Sequence, residues 1–391
     1  MFNFDRTIDR RGSWCTQWDF VADRFGHPDL LPFTISDMDF ATAPVIIDAL
    51  QQRVTHGVFG YSRWQHDDFL GAISQWYQQR FRLNIEQQHL VYGPSVIYMV
   101  AQMIRLWSEP GDSVLIHTPA YDAFYKTIES NHRQVLAAPL EKQGNHWQCD
   151  MTALENALKR QRCKIMLLCS PHNPTGKVWL RSELEQMAEL CARYQVKVIS
   201  DEIHMDMIIG DVPHTPWISV ASQPCALFTS ASKSFNIPAL GGAYGFITQP
   251  DDRARWFDAL KNADGLSSPS VMTIAAHIAA YRQGADWLDA LRAYLRSNLH
   301  YLAQQLQRHF PELDWQPPQA SYLAWIDLRA LQLDDQRLQQ NLIEQQKVAI
   351  MPGYTYGTEG KGFIRLNVGC PRSKLELGVQ GLIRAINDCR R

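Results

Sequence analysis

The apolar positions of this chain follow two rhythms. Between about residues 90 and 250, short continuous apolar runs alternate with stretches in which apolar residues recur every three or four positions. The runs predict strands at Leu90–Tyr92, Ser113–His117, Val135–Pro139, Cys163–Cys169, Val196–Ser200, Ala226–Thr229 and Gly242–Thr248. Helices are expected from Ser95 to about Trp107 and at about 121–131, 151–161 and 181–194. Strands apolar on both faces, separated by amphipathic helices, indicate a mostly parallel sheet covered on both sides. Ahead of this region Pro44 opens a helix to about Val54, since proline is tolerated at the first helical position. A second helical stretch covers roughly 67–82, and residues 1–40 read as irregular.

After Gly284 the rhythm changes. Leu288, Leu291, Leu295, Leu299, Leu302 and Leu306 form one stripe of a long helix. Strands follow at Ser321–Leu328, Lys347–Met351 and Gly362–Val368, with a helix near 335–346. A last helix from Ser373 buries Leu375, Val379, Leu382 and Ile386. The predicted plan is α/β. Residues 46–285 make a large domain, 286–391 a small α+β domain, and the segment 1–45 packs with the small one.

Composition removes several function classes. The 391 residues are 46% hydrophobic with 12 Trp, which describes a packed globular chain. A net charge of −2 gives no pull toward nucleic acid or an anionic membrane. Met1–Arg6 shows no basic segment leading into an apolar core, and the apolar runs are too short to span a bilayer. The eight cysteines include no CxxC pair, and Cys163 and Cys169 sit in strand-like runs as small hydrophobes. A cytoplasmic enzyme with reduced thiols and no metal site is the expectation.

Ligand sites in such sheets gather at the carboxyl ends of the strands, and four polar segments fall there. Thr229–Asn236 (Thr-Ser-Ala-Ser-Lys-Ser-Phe-Asn) follows an apolar strand. Lys233 held against apolar surroundings would lose its proton easily and could form a Schiff base with an aldehyde; otherwise it is an exposed residue after a strand. Gly93-Pro94-Ser95 turns into a helix N-terminus, where free N–H groups favour a phosphate, or it is an ordinary strand–helix connection. Ser170-Pro171-His172-Asn173-Pro174-Thr175-Gly176 reads as a rigid loop, with a cis peptide as one option. Asn173 could donate to a phenolate oxygen. Asp201, in Ser200-Asp201-Glu202-Ile203-His204, is a carboxylate at a depth that demands a cation or donor, unless it merely caps a helix.

Together, in this order, these segments resemble the aspartate-aminotransferase superfamily of pyridoxal-phosphate enzymes (fold type I) over nearly the whole chain. Ser200–His204, Ser36-Asp37-Met38-Asp39-Phe40, Ser170–Gly176 and the lysine segment resemble the MalY/PatB branch of cystathionine β-lyases within it. The resemblance implies pyridoxal 5′-phosphate as cofactor, held covalently by Lys233, which also moves the substrate α-proton. It implies Asp201 at the ring nitrogen, Asn173 and His204 near the ring oxygen, and Tyr121 against the ring face. Ser95, the Val96 amide, Ser230 and Ser232 would hold the phosphate, with Tyr61 reaching over from the neighbouring subunit of a homodimer. Arg365 would grip the substrate carboxylate, against the alternative of a strand-edge surface arginine. Trp64 and the Asp37–Phe40 loop are expected as pocket walls, and His172 as a water-exposed loop imidazole, against the alternative that it faces the cofactor.

One departure concerns the phosphate: many members carry arginine eight residues after the lysine, where this chain has Gly241. The implied reaction is cleavage of an amino-acid thioether to thiol, pyruvate and ammonia; aminotransfer would use the same residues. The branch also implies a protein partner, MalT, the transcriptional activator of the maltose genes, with a mainly regulatory protein as the further alternative.

Overall fold

The computed structural model describes residues 2–390. In chain order its strands are β1 (Leu31–Phe33), β2 (Leu90–Gly93), β3 (Ser113–Thr118), β4 (Gln134–Gln143), β5 (His146–Cys149), β6 (Cys163–Cys169), β7 (Lys197–Asp201), β8 (Cys225–Thr229), β9 (Ala243–Ile247), β10 (Leu323–Asp327), β11 (Val348–Pro352) and β12 (Phe363–Asn367). Eight of them form one sheet in the order β2-β9-β8-β7-β6-β3-β4-β5. From β8 through to β4 neighbours run parallel, while β2, β9 and β5 pair antiparallel at the two ends.

Side chains alternate between the faces of a strand, and both faces of β6 are buried. Ile165 and Leu167 pack in one apolar cluster with Met99, Val100, Met103 and Ile104 of the helix Val96–Trp107. Met166 and Leu168 enter the other cluster, with Leu184 and Met187 of the helix Arg181–Arg193. Each such side chain contributes about 1.5–3 kcal/mol on leaving water, so the central strands are the best-anchored part of the molecule. Loops at their carboxyl ends inherit that rigidity.

The second sheet has the order β1-β11-β12-β10. Residues 1–40 are therefore not wholly irregular, because Leu31–Phe33 runs parallel to Val348–Ile350. Three residues that include Pro32 give no readable alternation, and proline is accepted at a sheet edge. Three helices also escaped the pattern, the five-residue Val21–Phe25 being too short to show a period. Val271–Gln283 is buried on most of its circumference, leaving no stripe, and Pro250–Asp258 buries only Asp252 and Trp256. The leucine stripe of the helix Ala285–His309 is buried throughout. Among the described residues, no helix is long and apolar enough to cross a membrane, and no cluster of His, Cys, Asp and Glu could hold a metal.

Candidate active site

The carboxyl ends of β6, β7 and β8 and the start of the helix after β2 converge on a cavity of about 190 Å³. Nine of the eleven residues singled out from sequence line it: Ser95, Val96, Tyr121, Asn173, Asp201, His204, Ser230, Ser232 and Lys233. Arg365 lies one hydrogen bond behind its wall, and Tyr61 lies outside it.

Lys233 sits in the short helical turn Ala231–Ser234 just after β8, whose cap is Ser230: its Oγ accepts the Ser232 N–H at 3.1 Å. The amine Nζ donates to the Ser36 carbonyl at 2.8 Å and to Ser36 Oγ at 2.9 Å. Burial lowers its pKa to about 8; Arg365 adds to this, while Asp37 and Asp201 oppose it. Roughly one amine in ten is then neutral at pH 7. The exposed-lysine alternative falls.

Asp201 ends β7 and is buried, its Oδ1 accepting the Ile203 N–H at 3.1 Å. Among the described residues no cation pairs with it. Burial and, less strongly, Glu202 raise its pKa to about 7 against the Ile203 N–H and Lys233. A carboxyl in this state is short of one positive partner. His204 faces the same space with Nδ1 unpartnered; burial, then Lys233 and Arg365, push its pKa down to about 3, so the ring is neutral.

Asn173 stands in a loop whose Ser170–Pro171 and Asn173–Pro174 peptides are both cis. Its Oδ1 accepts Arg365 Nη1 at 3.1 Å, leaving the amide N–H₂ for the cavity. His172 is not exposed to water. It is buried against Trp179, with Nδ1 2.8 Å from Thr175 Oγ1, and burial lowers its pKa to about 4. Tight turns bring His172 back over β3, which residue type alone does not reveal. Tyr121 opens the helix Asp122–Ser130 at the cavity wall, its ring edge-on to Phe124 at 5.7 Å.

At the other end of the cavity, Ser95 caps the helix Val96–Trp107, Oγ accepting the Tyr98 N–H at 3.1 Å. Its hydroxyl proton and the first helical N–H groups remain available to an anion. Ser230 differs: its Oγ donates to the Gly242 carbonyl at 2.9 Å, so its hydroxyl already holds the turn together. Gly241 lies at φ +70°, a conformation that strains any side chain. The missing arginine is thus written into the backbone.

Arg365 occupies the middle of β12, between β10 and β11, and is buried; it is no surface residue. Nη2 donates to the Thr34 carbonyl at 2.9 Å, the guanidinium lies 4.6 Å over the Tyr356 ring, and Nε is unpartnered. Tyr61 is 99% exposed, near the exposed Val54, Val58 and Phe59. Trp64 and the Asp37–Phe40 loop do not form walls. Trp64 stacks on Phe257 at 6.2 Å, while Asp37 and Asp39 turn to Arg10. Ser36, which opens the Ser36–Phe40 motif, does line the cavity; the motif marked the segment but not this role, since its contact with Lys233 spans 197 residues.

A family model for class I and II aminotransferases matches residues 28–382. The chain belongs to that family. Within it, the chain is 65% identical over 390 residues to protein MalY of Escherichia coli K12, covering all of both sequences. It is 34% identical to the cystathionine β-lyase PatB of Bacillus subtilis, over 98% of this chain and 100% of PatB. Its fold superposes on the pyridoxal-phosphate-bound C–S lyase of Staphylococcus hominis with a TM-score of 0.93 at 27% identity, covering 99% and 98% of the two chains. The fold of this aminotransferase-family chain is therefore type I of the pyridoxal-phosphate enzymes.

Proposed function

We propose that the chain is a pyridoxal-phosphate-dependent carbon–sulfur β-lyase that cleaves cysteine-derived thioethers such as L-cystathionine to a thiol, pyruvate and ammonia. The observation that carries this reading is one buried space holding both a weakly basic lysine and a carboxyl with no cation. The cofactor fits what the space lacks. Its pyridine nitrogen would give Asp201 a cationic partner, and Asn173 with neutral His204 would flank its ring oxygen. Tyr121 would lie against the ring, and Ser95, Ser232 and the Val96 N–H would take its phosphate. When bound, it supplies an electron sink that acidifies the substrate α-carbon.

The remaining work belongs to the chain. Lys233 anchors the cofactor and then takes the α-proton on Nζ, for which a pKa near neutrality is well matched. Asp201 keeps a proton at the ring nitrogen. Arg365 supplies a planar fork for the substrate carboxylate, already oriented by Asn173, Thr34 and Tyr356. A thiolate at Cβ then departs as the best leaving group present.

The test is purified protein with L-cystathionine and no keto acid, following thiol, pyruvate and ammonia together. All three in step support elimination. Amino-group transfer only after a keto acid is added would move the chain to the reaction for which its family is named.

Two partners belong to this reading. A second copy would cover Val58, Phe59 and Tyr61 and bring Tyr61 to the phosphate end of its neighbour's cavity. Tyr61→Ala is then expected to weaken cofactor retention about tenfold, the effect of one lost charge-assisted hydrogen bond. Equilibrium dialysis checks it, and unchanged retention would remove the shared site. MalT is the proposed protein partner, on the full-length likeness to MalY.

A further inference from the structure

Thr34–Phe40 runs past the cavity as a strap that places Ser36 in the wall, and its backbone is fixed from both sides. Asn236, three residues after Lys233, donates to the Met38 and Phe40 carbonyls and accepts the Met38 N–H, all at 2.8–2.9 Å. Asn367, two residues after Arg365, donates to the Ile35 and Asp37 carbonyls at 2.6 and 2.7 Å. Between these staples, Tyr322 Oη donates to the Ser36 carbonyl at 2.9 Å. Ser36 is therefore placed by six side-chain bonds that do not involve Lys233, and it meets the amine with two acceptors at once.

We propose that Ser36 is a positioning residue for Lys233: it is the docking point of the amine whenever that amine is not covalently engaged, and its hydroxyl sets the amine's affinity for a proton. This rests on the reading that Lys233 is both anchor and base. In the proton-transfer step the substrate C–H bond breaks, a third N–H bond forms on Nζ, and the electron pair stays with carbon. The ammonium then has two of its three N–H bonds accepted by Ser36. Those acceptors favour the charged form, as do Asp37 and Asp201. Arg365 and the apolar burial oppose it, and the other titratable groups of this space, His204, Tyr121, Tyr322 and Cys169, are neutral. The Ser36 hydroxyl can be removed while Asp37, Asp201, Arg365 and the cofactor donors all stay in place.

The experiment uses the full-length protein freed of cofactor, with Ser36→Ala and Ser36→Thr beside it. Pyridoxal 5′-phosphate is added across a pH series, its capture is followed by absorbance, and the attachment point is mapped after borohydride reduction. Capture needs the neutral amine, so its pH midpoint reports the proton affinity of Lys233. Ser36→Ala is expected to move that midpoint to lower pH by about half a unit or more, through loss of an acceptor to the ammonium. Ser36→Thr, which keeps the hydroxyl, should restore it. In the loaded enzyme, Ser36→Ala should lower kcat about fivefold with KM unchanged, because Arg365 is untouched. An unmoved midpoint, or equal midpoints for alanine and threonine, overturns the role of Ser36 while leaving Lys233 as anchor. Failure of the unaltered protein to attach the cofactor at Lys233 overturns both.

Discussion

Lys233→Ala is expected to lower the rate of elimination by at least roughly 10³-fold, because one side chain supplies both the covalent anchor and the base. The fold should survive. Among the described residues the amine's hydrogen bonds go only to Ser36, and the strap carrying Ser36 is independently held by Asn236, Asn367, Arg365 and Tyr322. Steady-state assay with L-cystathionine and a thermal melt read the two quantities separately. Residual activity within about tenfold of the parent would remove Lys233 from the chemistry. The same variant addresses the proposed partner. A folded Lys233→Ala protein that still binds MalT shows that contact and catalysis use separate surfaces, and loss of both together shows that they do not.

Asp201→Asn should cost about 10²–10³-fold in kcat, since a neutral amide cannot keep a proton on a pyridine nitrogen in a dry site. It should also change stability in the opposite sense. The folded chain holds the Asp201 proton up to about pH 7, whereas the unfolded chain releases it near 3.8. Between those values the native state binds more protons than the unfolded state, so this group's contribution declines as pH rises. Above pH 7 the full penalty applies, up to roughly 4 kcal/mol. Asparagine keeps an oxygen to accept the Ile203 N–H and carries no such penalty. Without cofactor, Asp201→Asn should therefore melt above the parent at pH 8 and level with it at pH 4. Equal melting at both pH values would mean that the carboxyl is not held protonated by its surroundings. Activity and stability are in conflict at this residue, and bound cofactor would resolve the conflict by giving the carboxylate its cation.

How far each feature could be read from sequence follows from the range of the interaction behind it. Asp201, Asn173 and Lys233 each lie where an apolar run ends, and the end of a run is a local signal. The structure brings these three to one cavity because parallel strands share a carboxyl edge. The burial of Arg365 was not local: Phe363–Asn367 lies between β10 and β11, and nothing in five residues says which strand is central. His172 was misjudged for the same reason, because Trp179 and His117 from other segments enclose it. The helix Val271–Gln283 failed differently. Being apolar nearly all round, it lacks the contrast on which periodicity depends. Ser36 is the extreme case, a residue whose role depends on a neighbour 197 positions away.

The strap also has a consequence for how the protein is born. Its residues are made before either of the side chains that staple them, Asn236 196–198 residues later and Asn367 330–332 residues later. Domains fold as their segments leave the ribosome, N-terminal parts first, but here Thr34–Phe40 has its full set of staples only once residue 367 has emerged. A nascent chain can thus complete its eight-stranded sheet, and expose Lys233 on it, well before Ser36 is fixed opposite the amine. A ribosome stalled before codon 365 would therefore release a chain that carries Lys233 and Asp201 but lacks both Arg365 and the Asn367 staple that helps hold Ser36 opposite the amine.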